Sequence, residues 1–321
     1  MHLCLTSRAI AISVGAAIFV IAWNQSLNAQ EAVTTQTINV TGEEVPSSYG
    51  ATPGFSRSRF SNLTQAYVLP PGAIFVGLIY EGDALKFDRP DHNLTQEVEI
   101  GLPSRFGIAF ENSIENFRGR TQDRTFSAEL RYALADWNVI PLNPTIFVEY
   151  KTGLGDILHD EGPPAPLGKG DAQAFLMEHK PLPDAVEMRF LFAQDFSNNV
   201  EWAANIFVEQ EIGGDRGREV GFAQSIMFPI LLPNERLKVG AEMQYTSFTD
   251  SGLRDEGASS PRVIIGPTVA WKPTKNTRLD VSPLFGVTDD APRASVFVVF
   301  SMLFGGAERE QAEAPASTRN R

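Results

Sequence analysis

The sequence predicts an all-β protein, a transmembrane up-and-down antiparallel β-barrel of about twelve strands. Three observations predict it. Between Gln96 and Glu115 (QEVEIGLPSRFGIAFENSIE) two apolar–polar alternations flank a turn at Leu102–Arg105. The same alternation recurs, punctuated by turn signals, from Gly72 to Phe304. The chain also opens on the pattern of a secretory signal.

In the first arm Glu97, Glu99 and Gly101 alternate with Val98, Ile100 and Leu102. In the second, Arg105, Gly107, Ala109, Glu111 and Ser113 alternate with Phe106, Ile108, Phe110 and Ile114. A period of two gathers the charges on one face and the large apolar groups on the other. A soluble sandwich would turn the apolar face inward. Recurrence along the chain behind an export signal favours the reverse, with apolar groups against lipid and charges around a lumen.

Residues 1–29 are expected to be a signal peptide. His2 and Arg8 flank its start, Ala9–Trp23 is apolar, and Ala29 offers a small-residue cleavage site before Gln30. The apolar run is shorter than the ~20 residues of a spanning helix. Residues 30–71 are rich in Ser, Thr, Gly and Pro without periodicity, which predicts a flexible periplasmic segment. The barrel is expected over 72–304, with strands at 72–82, 93–102, 105–115, 124–136, 143–154, 185–196, 199–211, 217–229, 235–247, 261–272, 276–287 and 292–304.

Short links at Leu102–Arg105, Asp136–Asn143, Ser197–Asn199, Leu231–Asn234 and Lys272–Lys275 alternate with links at 83–92, 116–123, 155–184, 212–218, 248–260 and 288–291. Barrels of this kind have short periplasmic turns and longer outer loops, so both chain ends fall inside. Ala172–Met177 (AQAFLM) is assigned to the third outer loop, and the polar tail 305–321 to disorder. Tyr80, Phe117, Trp137, Phe196, Trp271 and Phe304 are expected to form interfacial girdles facing lipid.

Several chemistries are disfavoured. A net charge of −12 argues against a nucleic-acid partner. The single cysteine, Cys4, falls in the signal, and His2, His92, His159 and His179 are scattered, so neither a metal nor another cofactor is expected. A barrel hydrolase would need a nucleophile and a base at its outer rim. The candidates, His159-Asp160-Glu161, Asp255-Glu256 and Asp289-Asp290, do not compose such a site, and no enzyme is expected.

Projecting the alternation inward lines a lumen with Glu97, Glu99, Glu111, Glu129, Arg131, Glu149, Lys151, Glu187, Arg189, Glu209, Glu211, Glu219, Arg236, Lys238, Glu242, Arg262, Lys272, Arg278 and Asp280. Glu129 and Arg131 beside Glu149 and Lys151 would pair across strands. An open pore so lined would favour cations or polar neutral solutes. The same groups could equally fill the barrel as a closed network, since twelve strands lie between small filled barrels and open porins.

Val186–Gly214 (VEMRFLFAQDFSNNVEWAANIFVEQEIGG) and Val269–Phe300 (VAWKPTKNTRLDVSPLFGVTDDAPRASVFVVF) resemble the outer-membrane barrels grouped with the meta-pathway phenol-degradation transporters. Members end in a strand, a turn, a strand closing in Gly-x-Thr-Asp-Asp, and a last strand. Gly286, Val287, Thr288, Asp289 and Asp290 stand in those places here. The resemblance implies a passive channel or transporter for small solutes in the bacterial outer membrane, with membrane lipid and the barrel-assembly machinery as its other partners. It brings no catalytic residues. The polar tail after Phe304 departs from the family's terminal aromatic.

Thr35–Pro46 (TQTINVTGEEVP) is similar to the box by which TonB-dependent receptors engage their energy-coupling protein. A plug and a 22-stranded barrel cannot be built from ~290 residues, so a plain unstructured tail is the simpler reading of 35–46. Two rivals to a channel remain at this stage. One is a closed barrel serving as a structural or surface-binding module through loops 155–184 and 248–260; the other is a barrel hydrolase.

Overall fold

The computed structural model describes residues 59–85, 90–158, 180–196, 200–230, 237–251, 254, 257–274 and 276–305. Twelve strands lie among them: β1 Ile74–Ala84, β2 Asp91–Leu102, β3 Phe106–Phe117, β4 Arg120–Ala133, β5 Thr145–Gly153, β6 Ala185–Phe196, β7 Val200–Glu211, β8 Arg218–Pro229, β9 Leu237–Thr249, β10 Ser260–Trp271, β11 Thr277–Gly286 and β12 Ala294–Phe304. Each pairs antiparallel with its chain neighbours, and β1 meets β12 from Ile74 opposite Phe304 to Ala84 opposite Ala294. The ring is therefore closed, with no edge strand to leave its N–H and C=O groups bare.

The two faces differ as the alternation requires. Glu97, Glu99, Glu129 and Arg131 are buried inside, while Val98, Phe110, Phe126, Leu130, Tyr150, Phe190, Ile206 and Phe300 stand exposed outside. Phe110 is 44 % exposed and Phe285 54 %. An apolar belt running round a whole sheet is far larger than the ~300–600 Å² patches of soluble monomers. Hydrocarbon is the medium that accepts it, and the sheet is a membrane-spanning barrel.

Most strand ends fall within about two residues of the sequence expectation. The link expected at 116–123 does not exist as a loop. β3 and β4 run on to a two-residue turn, Arg118-Gly119, with φ of 54° and 83°. Paired positive φ values suit the right-handed twist of a tight hairpin, and glycine makes the second one cheap. Between Ser113 and Ile114 the β3–β4 register shifts, a bulge that turns the Arg124 side chain toward Glu115 at 3.5 Å. Connection lengths also contrast less than expected, because 134–144 joins β4 to β5 at the short-turn end.

Of the expected girdle, Tyr80, Trp271 and Phe304 are exposed on the outside. Phe117 and Trp137 are buried inside. Phe117 has the same odd parity as Glu111 and Glu115, and Trp137 lies beyond the end of β4, where the chain folds over the lumen. Residues 1–58, which include 35–46, lie outside the described residues, as do Ala172–Met177, His159-Asp160-Glu161, Asp255-Glu256 and the tail from 306. The described part of the 30–71 segment contradicts its expectation: residues 59–69 run inside the barrel, and all but Arg59 are buried.

Candidate functional site

The lumen is the candidate site, and its wall is polarised. The strands β2–β7 carry most of the charge. Arg131 pairs with Glu99 at 3.0 Å, with Glu97 at 3.6 Å and closely with Glu129. Lys151 pairs with Glu209 at 2.5 Å, Glu187 at 2.8 Å and Glu149 at 3.5 Å, and Arg189 closes on Glu187. The guanidinium groups of Arg131 and Arg189 lie 5.5 and 5.2 Å from the Phe147 ring centre, so an aromatic floor joins the two clusters. Each strand holds its charges at alternate positions, which is why they converge.

Strands β8–β12 face this wall with small, hydroxyl and apolar groups, Met227, Ile264, Leu284 and Phe297 among the last. Ala223, Ser225, Thr268, Ala270, Ser282, Ser295 and Ser301 are all buried inward. Fewer charges sit there. Arg278 pairs with Asp280 at 2.8 Å, and Lys238 reaches across to Glu201 at 2.5 Å.

Residues 59–69 fill the space between the two sides of the wall. Phe60, Ala66, Tyr67 and Val68 pack against Ala133, Trp137, Ala193, Ala203, Met227 and Ala270. Leu63 enters a second apolar nest with Ala223, Ile264, Leu284 and Phe297. Tyr67 meets Trp137 edge-on, 5.3 Å between ring centres, and donates its hydroxyl to the Ala135 carbonyl at 2.5 Å. Burial, with Asp136 nearby, pushes the Tyr67 hydroxyl pKa upward. Arg59 reaches the charged wall and pairs with Glu97 at 2.7 Å. Burial works against its charge, but the carboxylates of Glu97 and Glu111 outweigh it and hold the pKa above its ordinary value. At the entrance, a Cβ on Gly101 would collide with the Pro70 carbonyl, so glycine there lets the segment pass close to β2.

The wall residues expected from the alternation are distributed as follows. Glu97, Glu99, Glu129, Arg131, Glu149, Glu187, Lys238, Glu242, Arg278 and Asp280 are buried in the lumen. Glu111, Lys151, Arg189, Glu209, Glu211, Glu219, Arg262 and Lys272 are half-buried. Glu211 accepts the Gly217 N–H at 2.5 Å and so braces the β7–β8 turn. Arg236 lies outside the described residues. Glu97, Glu111 and Glu129 each bring one carboxylate oxygen within 4.8 Å of the others, a spacing that could hold a cation. Their counter-charge is already supplied by Arg59 and Arg131.

No family model matches the chain, and no curated protein does. Solved outer-membrane barrels do. The NanC porin is 8 % identical, with a TM-score of 0.45 over 71 % of this chain and 98 % of that one. The KdgM porin is 11 % identical, with 0.43 over 72 % and 99 %. An outer-membrane channel from Pseudomonas putida F1 is 12 % identical, with 0.42 over 74 % and 97 %. Likeness this loose carries no inference about function.

Three features escaped the expected wall. Glu115 on β3 and Glu201 on β7 share the inward parity of Glu111 and Glu209, so parity alone would have found them. Residues 59–69 carried a weaker signal: Phe60, Leu63, Tyr67, Val68 and Leu69 are apolar in a stretch otherwise read as polar.

Proposed function

We propose that this chain is a passive channel for small solutes in the bacterial outer membrane, held closed in this conformation by its own residues 59–69. The observation that carries the reading is the room inside. Twelve strands enclose more than their wall side chains fill, and the surplus is wide enough to hold a folded-back polypeptide. Vacated, that space would be wetted by Glu242, Ser225 and Ser282 on one side and by the charged β2–β7 wall on the other. An acidic excess on that wall favours cations and polar neutral solutes over anions. The reading assigns no covalent chemistry, no cofactor and no catalytic residue. It keeps the likeness to the meta-pathway phenol-degradation transporters, the assembly machinery as a folding partner and the signal at 1–29 as parts of the proposal, and gives 35–46 no TonB-type role.

A closed structural barrel is the second reading, and the near-complete burial of Glu97, Glu99 and Arg131 favours it. Planar-bilayer recording decides between them. A channel gives discrete cation-preferring steps, at least intermittently; a permanently sealed barrel gives none under any voltage.

A further inference from the structure

We propose that residues 59–69 are a releasable peptide ligand of the lumen, and that the wall around them is a peptide-binding site open to a second peptide once they leave. The inference deepens the channel reading and rests on it.

The wall reads the main chain of this segment. Arg278 donates from Nη1 to the Arg59 carbonyl at 2.6 Å and from Nη2 to the Phe60 carbonyl at 2.7 Å. Glu242 accepts the Leu63 N–H at 2.8 Å. The Asn205 carboxamide donates to the Gln65 carbonyl at 2.9 Å and accepts its N–H at 3.1 Å, the two-bond pairing by which an amide side chain mimics a strand. Three different strands thus contact backbone groups of one short segment. Side chains add to this: Ser61 bonds Ser225 at 2.7 Å and Glu242 at 2.8 Å, Thr64 bonds Ser225 at 3.0 Å, Asn62 bonds Ser282 and Arg59 pairs with Glu97, while Phe60, Leu63, Tyr67 and Val68 fill the apolar nests.

The segment is also independent of the sheet. The ring closes through β1 and β12 without it. Its bonds from backbone to backbone are internal, with Phe60 N–H donating to the Thr64 carbonyl at 3.0 Å and a bridge between Arg59 and Gln65. When it leaves, no strand loses a ladder partner. Glu242 keeps Ser282 at 2.7 Å and Arg278 keeps Asp280, and water can solvate the rest. A bistable element of this kind orders and releases without unfolding its frame. The ligand class follows from the contacts. It is a peptide of about ten residues, turned at small polar residues, with aromatic flanks and a basic residue to enter beside Glu97.

The test uses the full chain in planar bilayers. Arg59→Ala with Leu63→Pro removes the ion pair and the N–H that Glu242 accepts, and should raise the time-averaged current roughly tenfold or more. A synthetic peptide of residues 59–71, added at the short-turn end, should restore the block, and one carrying Leu63→Pro should need roughly tenfold more. Separately, Ser61→Cys with Ser225→Cys, in a Cys4→Ser background, replaces two hydroxyls 2.7 Å apart by thiols within bridging reach. Oxidation should abolish openings and a reductant restore them. Current that ignores the oxidation state overturns release while leaving the channel intact, and current that ignores the peptide overturns the peptide site. If no form conducts, the channel reading fails, and release is read by a membrane-impermeant maleimide on Ser61→Cys: labelling of the folded barrel sustains release, and full protection overturns it.

Discussion

Arg131→Met measures whether the charged wall is dry. The Arg131 side chain is 1 % exposed, between Glu99 at 3.0 Å and Glu97 at 3.6 Å, with Glu129 in direct contact. Methionine keeps much of the volume and leaves three buried carboxylates short of a counter-ion, with Arg59 on Glu97 only. Stripping one partner from a dry buried pair costs about 3–5 kcal/mol. In a water-filled lumen the same change would cost about 0–1 kcal/mol, as for surface pairs. Arg105→Met supplies the exposed control, because Arg105 faces Asp136 at 3.4 Å with half of the aspartate side chain in solvent. Unfolding of both variants in phospholipid vesicles by denaturant, followed by tryptophan fluorescence, gives the two losses on one scale. Arg131→Met should lose about 3–5 kcal/mol and Arg105→Met under about 1 kcal/mol. Adding Glu99→Gln to Arg131→Met should recover part of the loss, since one uncompensated carboxylate disappears. Equal losses for the two arginines would refute the argument: the wall would be wet, and residues 59–69 would not seal it.

Three further outcomes follow from the same geometry. Lys151→Gln removes the cation shared by Glu149, Glu187 and Glu209, and should shift the reversal potential of the open channel toward stronger cation preference; an unchanged potential would place the ion path elsewhere. Phe110→Lys puts a charge on the lipid face opposite Val98 and should cost about 2–4 kcal/mol near the membrane midplane, whereas a loss under about 1 kcal/mol in the same vesicle titration would mean that this face does not meet hydrocarbon. Gly101→Val drives a side chain into the Pro70 carbonyl and should unseat the segment behind it, seen as faster proteolysis within 59–71 with the barrel's unboiled gel mobility retained; unchanged protection would show that the entrance tolerates the bulk.

The barrel was legible because it follows from a rule with one variable. Where β2 reads Glu97, Val98, Glu99, Ile100, each side chain's face is settled by parity, and closure with an even strand number follows from where the turns fall. The face that carries the charge was legible for the same reason, but its pairing was not: instead of the expected pairs between Glu129/Arg131 and Glu149/Lys151, Arg131 turns to Glu97 and Glu99 on β2 and Lys151 to Glu187 and Glu209 on β6 and β7. Parity misled only where it was not applied strictly, at Phe117, or where the strand had already ended, at Trp137. The Arg118-Gly119 hairpin was masked by flanking polar residues that read as loop, although an Arg-Gly pair can take positive φ much as Asn-Gly does.

The filled lumen was illegible for a different reason, and that reason bears on function. Neither half of the contact is distinctive by itself. Ala133, Ala193, Ala203, Ala223 and Ala270 look like indifferent inward positions, and Phe60, Leu63 and Tyr67 look like stray apolar groups in a polar tail. Their meaning is joint: the alanines leave the room in which the aromatics pack. A barrel meant only to be solid could fill itself with leucine and phenylalanine from its own strands, as smaller barrels do. This wall instead withholds bulk at those alanines on β4, β6, β7, β8 and β10, places acid groups and hydroxyls at the bottom of the space, and leaves the filling to a segment joined to the sheet through Gly72. A filler that shares no ladder bond with the sheet can be withdrawn without breaking the barrel, and the polar floor beneath it is one that water, and solutes that travel with water, can wet.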